Sequence, residues 1–184
     1  MTETPTRQGT CYWITGLSGA GKTTLGQAYC SHQRALGWDN LVYLDGDTLR
    51  EVFGNGLGHS PAERYQLAMS YARLCQMLTG QGIDVVCATI SMFETVREWN
   101  RRNIPRYVEI YLDVPIEVLE RRDQKQLYSR ARRGEIRHVM GVDEPVVPPV
   151  SPDILIVNDG SLSKTQLLER LLEDIARLES SHED

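Results

Sequence analysis

The sequence has no long apolar run. Across its 184 residues, no stretch approaches the roughly 18 consecutive apolar residues that suggest a membrane-spanning helix. It also shows no charged and then apolar leader of the kind that directs secretion. We therefore expect no membrane partner, and we expect a cytoplasmic location.

Blocks of basic residues are missing too, and the chain is acidic overall. Its 20 Lys and Arg residues stand against 25 Asp and Glu residues, which gives a formal net charge of −5 at pH 7. Proteins that bind nucleic acid usually concentrate basic residues on one surface. The composition therefore argues against a nucleic-acid partner, and against an enzyme that acts on the ends of oligonucleotides.

Cysteine is scarce and widely spaced. No C-x-x-C pair occurs and no histidine pair lies nearby in the sequence, so zinc binding is not indicated. Each cysteine stands among apolar or small residues, where a free thiol behaves as a small hydrophobic side chain. We expect four reduced core thiols, at Cys11, Cys30, Cys75 and Cys87.

One short stretch carries a specific chemical signature. Residues 16–23 read GLSGAGKT and fit the pattern G-x-x-x-x-G-K-[ST] of a phosphate-binding loop. In such loops backbone N–H groups surround an anion, the lysine reaches the β- and γ-phosphates, and the hydroxyl binds Mg²⁺. The sequence therefore predicts a site for ATP and Mg²⁺. Its predicted residues are Gly16, Ser18, Gly19, Ala20, Gly21, Lys22, Thr23 and Thr24.

The residues on either side of this loop support the prediction. An apolar run at residues 11–15 indicates a strand before the loop, and a helical pattern follows it. The predicted apolar face of that helix consists of Leu25, Ala28, Tyr29, His32 and Leu36. A helix that begins at the loop adds the positive end of its dipole to the anion site. The alternative, a glycine-rich turn that binds nothing, is less consistent with this order of elements.

Four further apolar runs are typical of strands, and helical segments separate them. The runs cover residues 41–44, 83–88, 107–112 and 154–157. Such alternation predicts an α/β fold of the P-loop NTPase type, with a parallel five-stranded sheet between two layers of helices. The length suits one domain. We expect a disordered tail at residues 1–9, one domain of this P-loop type at residues 10–180 and an acidic tail at residues 181–184.

Two of the helices carry a start signal in the sequence. Ser60 and Glu63 form a capping box that predicts a helix ending at Gly80, and Ser163 and Gln166 form a second box before the last helix. Leucines follow both boxes at helical spacing. These leucines are expected to be core residues.

Polar side chains follow the second and third predicted strands, at the edge where parallel sheets place their active sites. Asp45 and Asp47 would repel a triphosphate unless they served Mg²⁺, its bound water or an incoming hydroxyl. Alternatively, Asp47 caps a short helix that runs through Arg50 to Phe53. Thr89 and Ser91 could likewise bond a phosphate or cap a helix. The residues alone leave these alternatives open.

Seven cations and only two acids lie between residues 121 and 137. Phosphoryl-transfer enzymes need positive charge over the γ-phosphate, and a segment that closes on the substrate can supply it. This cluster predicts a lid at about residues 122–140. A solvated basic helix face is the alternative.

Taken together, the motifs resemble the adenylylsulfate kinase (APS kinase) family, whose members transfer the γ-phosphate of ATP to the 3′-hydroxyl of adenosine 5′-phosphosulfate. The matching segments are GLSGAGKTTL, LDGDTLR, LGHSPAER, ISM, DQKQLYSRARRGEI and GVDEPVVPP, at residues 16–25, 44–50, 57–64, 90–92, 123–136 and 141–149. Members are commonly homodimers, so the resemblance implies a homodimer that binds ATP and a small nucleotide acceptor.

The resemblance also implies roles for individual residues. It implies Asp47 as the base or hydroxyl-orienting group, Ser91 beside the transferring phosphate, and Lys22 as the third catalytic residue. Asp45 is implied near the metal together with Thr23. The implied acceptor contacts are Asp45, Arg50, Arg64, Ile90, Ser91 and Lys125, and Arg132 is implied to close over ATP.

Four positions depart from the family pattern. The family has Phe at the position of His59, Asn at Leu67, Phe at Val139 and Asn at Thr48. Several of these residues hold the adenine of the acceptor, and loss of a stacking partner weakens base binding by about 1–3 kcal/mol. We therefore add His59, Leu67 and Val139 to the expected acceptor contacts. Adenylyl sulfate is the first expectation, and the alternative is a cytidine diphosphate derivative, as in the related cytidine diphosphoramidate kinase.

A nucleotide-binding regulatory protein is a third possibility. Guanine-binding switches carry an N-K-x-D sequence, which does not occur here. An ATP-dependent motor would show an acid at the end of a strand, whereas Asp84 lies inside its predicted strand. The sequence therefore favours the kinase.

Overall fold

The computed structural model of the chain describes residues 7–54 and 56–181. Its five strands agree with the predicted apolar runs to within one residue at each end. They are β1 (Cys11–Thr15), β2 (Leu41–Asp45), β3 (Asp84–Ala88), β4 (Tyr107–Asp113) and β5 (Ile154–Val157). The strand order is β2-β3-β1-β4-β5, and all neighbouring strands are parallel. The predicted five-stranded parallel sheet is confirmed.

Helices connect the strands, as parallel pairing requires. They are α1 (Lys22–Ala35), α2 (Gly46–Phe53), α3 (Pro61–Gly80), α4 (Glu94–Asn103), α5 (Ile116–Arg122), α6 (Leu127–Arg132) and α7 (Lys164–Ser181), with a short 3-10 turn at Gln124–Gln126. Strand β1 is central, so the loop between β1 and α1 lies at the middle of the sheet edge. None of the helices within the described residues is long and apolar enough to cross a membrane.

Each face of the sheet carries its own hydrophobic core. Successive residues of a strand point to opposite faces, so Ile14 joins the core under α1 and α7, while Trp13 joins the core under α3 and α4. Three of the cysteines belong to the second core and Cys30 belongs to the first. All four are free and buried, as predicted.

Both predicted capping boxes are confirmed. The Ser60 Oγ accepts from the Glu63 N–H at 3.4 Å, and the Glu63 carboxylate accepts from the Ser60 N–H at 3.1 Å. Ser163 and Gln166 exchange the same pair of bonds, at 3.2 and 2.9 Å. These boxes satisfy N–H groups that a helix start otherwise leaves unpaired.

The prediction for the end of α1 is wrong at Leu36. The helix ends at Ala35, and Gly37 follows with a φ of 85°, so the chain turns away and the Leu36 side chain is 71% exposed. Leu25 and Tyr29 are buried as predicted. Helical spacing alone therefore assigned one residue too many to the apolar face of α1, because the spacing does not show where the helix ends.

Residues 7–9, which fall within the predicted tail, pack against the start of β3. The Arg7 guanidinium donates to Asp84 Oδ2 at 2.7 Å, and the Gly9 N–H donates to the Thr79 carbonyl at 2.9 Å. Asp84 is buried and accepts from the Trp38 indole as well, so Arg7 supplies it with a charged partner. The rest of the predicted tails, residues 1–6 and 182–184, lies outside the described residues.

Candidate active site

A cleft of about 270 Å³ lies at the carboxyl ends of β1, β2 and β3. Thirteen of the residues predicted for the site line it. They are Ser18, Gly19, Lys22, Thr23, Asp45, Asp47, Arg50, His59, Arg64, Leu67, Ile90, Ser91 and Lys125. We call the phosphate loop at residues 16–23 together with Asp45 the donor half. The acceptor half comprises Arg50, His59, Arg64, Leu67 and Met140.

The phosphate loop owes its shape to glycine. Gly16, Gly19 and Gly21 have φ values of 154°, 77° and 103°, and a Cβ on Gly16 would lie 2.7 Å from the Leu112 carbonyl oxygen. Gly21 caps α1 without a side-chain bond, so the first N–H groups of α1 are left for an anion. The predicted residues Gly16, Ala20, Gly21 and Thr24 lie in the loop or the first turn of α1 and do not line the cleft.

Lys22 lies at the base of the donor half. Its Nζ donates to the Leu17 carbonyl at 2.8 Å. Burial lowers the pKa of Lys22 from 10.5 to about 8, although the nearby carboxylates of Asp47 and Asp45 oppose this change. A bound phosphate would favour the charged form. The lysine is therefore suited to bind an anion that enters the cleft.

Asp45 accepts hydrogen bonds from both the Thr23 hydroxyl and the start of α2. Its Oδ2 accepts from Thr23 Oγ1 at 2.8 Å and from the Tyr43 hydroxyl at 3.0 Å, and its Oδ1 accepts from the Asp47 N–H at 2.9 Å. Burial alone would raise the pKa of Asp45, but these hydrogen bonds hold it below the ordinary value. Because α2 begins at Gly46, the cap is Asp45, and the alternative prediction of Asp47 as the cap is wrong.

The side chain of Asp47 instead contacts Lys125, in the segment that the sequence predicts to be a lid. It is 75% exposed, and its Oδ2 accepts from Lys125 Nζ at 2.6 Å. The hydrogen bond to Asp47 raises the pKa of Lys125. An exposed pair of this kind contributes little to stability, about 0–1 kcal/mol. Both residues line the cleft, so the contact matters because it holds two opposite charges there.

Ser91 lies on the opposite wall, after β3. It is buried, its Oγ is 2.8 Å from Thr89 Oγ1, and its φ of 20° is uncommon for a residue other than glycine. The alternative prediction that Thr89 or Ser91 caps the next helix is wrong, because α4 begins at Glu94 with Phe93 as its N-cap. Strained backbone of this kind is often found at functional sites.

Two arginines brace the rim of the acceptor half. Arg50 donates to the Gly58 carbonyl at 2.8 Å, and Arg64 donates to the carbonyls of His59 and His138 at 2.9 and 2.7 Å. Loss of hydration and the charges of Arg50 and Arg64 lower the pKa of His59. His59 is therefore neutral at pH 7, and the positive charge at the rim comes from the arginines.

The apolar wall of the acceptor half differs from the predicted set. Leu67 lines it as expected, whereas Val139 is 3% exposed and its neighbour Met140 faces the cleft. Tyr71 and Phe93 also line the cleft and were not predicted as site residues. Tyr71 follows Leu67 by one helical turn, so the helical period could have indicated it. Phe93 stands in an irregular segment and gave no such signal.

The lid segment contacts the donor half through residues that had no assigned role. Arg132, the predicted ATP contact, pairs with Glu120 and does not line the cleft. Arg122 donates to the Gly19 carbonyl at 3.1 Å, and the Tyr128 hydroxyl donates to the Ser18 carbonyl at 2.7 Å. The junction of α5 and α6 is thus bound to the phosphate loop.

Comparison with known proteins agrees with this geometry. The model of the family described as adenylylsulphate kinase matches residues 8–157, which include every residue of the cleft. The chain belongs to the adenylylsulphate kinase family. Membership of this family makes it a kinase, a phosphotransferase built on the phosphate-loop fold.

Individual relatives are similar to this chain over most of their length. The adenylyl-sulfate kinase of Synechococcus sp. (strain JA-2-3B'a(2-13)) is 42% identical over 149 residues, which cover 81% of this chain and 85% of the relative. The cytidine diphosphoramidate kinase of Campylobacter jejuni is 38% identical over 164 residues, covering 89% and 95%. The Mycobacterium tuberculosis APS kinase, solved with AMPPNP and APS, superimposes with a TM-score of 0.84 at 28% identity, covering 92% and 99%.

Proposed function

We propose that this member of the adenylylsulphate kinase family transfers the γ-phosphate of ATP to a ribose hydroxyl of adenylyl sulfate. One observation carries the proposal. Lys22 and Thr23 of the phosphate loop share a single cleft with Asp47, Arg50 and Arg64. A transfer between two bound nucleotides needs both of them in one cavity, because correct placement of the reactants supplies much of the rate.

The donor half suits the phosphates of ATP with Mg²⁺. The Thr23 hydroxyl donates to Asp45, so the lone pairs of its oxygen remain available to a cation. Mg²⁺ usually takes one or two protein ligands and completes its shell with phosphate oxygens and water. Asp45 already accepts from Thr23, Tyr43 and the Asp47 N–H, so it would act mainly by orienting Thr23. When bound, Mg²⁺ would neutralise charge that develops on the phosphates.

Asp47 and Lys125 assist the attack of the acceptor hydroxyl on the γ-phosphate. In the proposed reaction, the Asp47 carboxylate accepts the hydrogen bond of the attacking hydroxyl, and the Lys125 ammonium shifts toward the phosphates. Ser91 lies on the far wall, within the same cleft. Loose transition states of phosphoryl transfer ask little of a base, so Asp47 contributes by orienting the hydroxyl more than by removing its proton.

A cytidine diphosphate derivative is the second candidate acceptor. It is favoured by the similarity to the Campylobacter jejuni cytidine diphosphoramidate kinase and by Leu67, an apolar residue on the acceptor wall. An apolar side chain offers no hydrogen bond to an adenine. The neutral rim residue His59 lacks the ring area of a phenylalanine. Adenylyl sulfate remains the first candidate because most of the similar relatives are adenylyl-sulfate kinases.

The acceptor is tested by coupling ADP release to a panel of nucleotides. The panel contains adenylyl sulfate, AMP, CDP and cytidine diphosphoramidate, each at the same concentration with Mg-ATP. We expect the largest acceleration with adenylyl sulfate. Acceleration by a cytidine nucleotide without acceleration by adenylyl sulfate would contradict the first choice and support the second.

We also propose that the protein works as a cytoplasmic homodimer. The family resemblance supports the dimer. Light scattering after size exclusion should give twice the chain mass of 20.9 kDa. A mass of one chain at micromolar concentration would contradict the dimer.

A further inference from the structure

Three successive backbone carbonyls of the phosphate loop accept hydrogen bonds from side chains. One of these side chains belongs to the loop and two belong to the segment around α5 and α6. Leu17 O accepts from Lys22 Nζ at 2.8 Å, and Gly19 O accepts from Arg122 Nη1 at 3.1 Å. Between them, Ser18 O accepts from the Tyr128 hydroxyl at 2.7 Å. Tyr128 lies 110 residues further along the chain, at the start of α6.

A bond to a carbonyl also orients the next N–H group. The peptide unit is planar, and in a trans peptide the C=O and the following N–H point in opposite directions. No cis peptide occurs within the described residues. The bond from Tyr128 to Ser18 O therefore turns the Gly19 N–H away from Tyr128. Ser18 and Gly19 both line the cleft, so this peptide unit faces the phosphate site.

Of the three donors, Tyr128 is the one whose hydrogen bond is best shielded from solvent. Its side chain is 1% exposed, whereas Arg122 is exposed. Lys22 is expected to leave Leu17 for the phosphates when ATP binds. Burial raises the pKa of Tyr128 to about 12, so its hydroxyl keeps its proton at neutral pH. The Tyr128 bond is thus the contact that persists in both states of the loop.

The backbone before α6 adopts an uncommon conformation to place this side chain. Asp123, Lys125 and Gln126 have φ values of 35°, 62° and 53°. Left-handed conformations at residues other than glycine cost about 1–2 kcal/mol each. Asp123 Oδ1 offsets part of the cost, because it accepts from the N–H groups of Tyr128 and Ser129 at 2.9 and 3.1 Å. Strained backbone conformations of this kind cluster at functional sites, where they position a side chain.

We propose that Tyr128 is a positioning residue for phosphate binding, which holds the Ser18–Gly19 peptide unit with its N–H toward the phosphates. The inference rests on the proposed binding of ATP, and it does not depend on which acceptor is used. It predicts an effect on any ligand that places phosphates in the loop. The adenine of ATP should not change the size of that effect.

Tyr128→Phe tests the proposal, since it keeps the ring and removes the hydroxyl. Calorimetry with Mg²⁺ would measure Kd for ATP and for inorganic tripolyphosphate, which has no adenine. We expect both Kd values to rise by the same factor, about five- to tenfold, as for loss of one buried hydrogen bond. The KM for ATP should rise by a similar factor and kcat should fall much less. Tyr29→Phe, the same change in a buried tyrosine of α1, is the matched control and should leave both Kd values unchanged.

Arg122→Met provides a second variant at an exposed position, where loss of the fold is not expected. It should weaken both ligands alike, by about two- to threefold, as for a partly hydrated hydrogen bond. A folded Tyr128→Phe variant with unchanged Kd values would overturn the proposal. Weaker binding of ATP alone would also overturn it, by assigning the effect to the adenine. No binding of either ligand by the unaltered chain would overturn the proposed ATP site itself.

Discussion

The donor half and the acceptor half of the cleft are built on different parts of the fold. The donor half lies between the ends of β1 and β2 and the start of α1, and its carboxylate, Asp45, accepts hydrogen bonds from Thr23, Tyr43 and the Asp47 N–H. The acceptor half lies on α2, the start of α3 and residues 138–140, which belong to no strand or helix. Arg64 spans it by bonds to two backbone carbonyls.

The fold therefore determines how the donor phosphates are bound, whereas the side chains of the acceptor half can vary without a change of fold. Phosphate binding depends on backbone N–H groups and on a helix start, which change only if the sheet edge changes. Acceptor binding depends on side chains such as His59 and Leu67, which can be exchanged without disturbing the sheet. The phosphate loop of the donor half fits its motif in full, whereas two of the four departures expected from the resemblance, His59 and Leu67, line the acceptor half.

The largest expected effect is the loss of Lys22. Lys22→Ala should lower kcat/KM for ATP about a thousandfold, because the variant removes a charge from the γ-phosphate in the transition state. Steady-state kinetics would measure this loss, and the thermal unfolding midpoint should not fall. Lys164→Ala, at an exposed position outside the cleft, is the control. Near-normal turnover in Lys22→Ala would contradict the proposed role of the donor half in phosphoryl transfer.

Loss of the Asp47 carboxylate should have the next largest effect. Asp47→Asn should lower kcat about a hundredfold while it changes the KM for ATP less than threefold, because Asp47 orients the acceptor hydroxyl. Rapid-quench kinetics in a single turnover would measure the chemical step. Asp39→Asn, an exposed change away from the cleft, should leave the rate unaffected. An unaltered single-turnover rate in Asp47→Asn would contradict the assigned role.

The pH dependence tests the charge on Lys22. The folded chain lowers the pKa of Lys22 to about 8, so the ammonium loses its proton as the pH rises through 8. The kcat/KM for ATP reports the free enzyme. It should therefore be level below about pH 8 and fall above it, approaching tenfold per pH unit. Lys22→Arg keeps its charge throughout this range and should move the fall to higher pH. A profile of the unaltered enzyme that stays level to pH 10 would contradict the assignment.

The smallest effect should come from restoring the family residues in the acceptor half. His59→Phe combined with Leu67→Asn should lower the KM for adenylyl sulfate about tenfold, by adding a stacking ring and an amide. The KM for ATP should stay the same, because neither residue touches the donor half. A raised KM for adenylyl sulfate in a folded variant would indicate that the pocket is built for another acceptor.

Local patterns made much of the fold predictable. Apolar runs located the five strands, and the capping boxes at Ser60 and Ser163 located two helix starts, because these signals lie within a few consecutive residues. The start of α2 was missed because Asp45 and Asp47 are both good caps. Asp45 is the cap because its backbone is extended, with φ −93° and ψ 135° at the end of β2, as an N-cap residue requires.

Contacts between distant residues were not predictable. The bonds from Arg122 and Tyr128 to the phosphate loop span 103 and 110 residues and leave no periodic trace in the sequence. In the irregular segment after α6, the Val139 N–H donates to Asp143 and the Val139 side chain is buried, so Met140 faces the cleft. No helix or strand period applies there to tell the two neighbours apart.

The most direct test of the account is to follow the γ-phosphate itself. The enzyme would be incubated with Mg²⁺, adenylyl sulfate and ATP labelled at the γ-phosphate, and the products would be separated and examined by ³¹P NMR. We expect the label to appear as a phosphomonoester on the 3′-hydroxyl of adenylyl sulfate, in equal amount to the ADP formed. Label found only in inorganic phosphate, or left in ATP, would contradict this expectation.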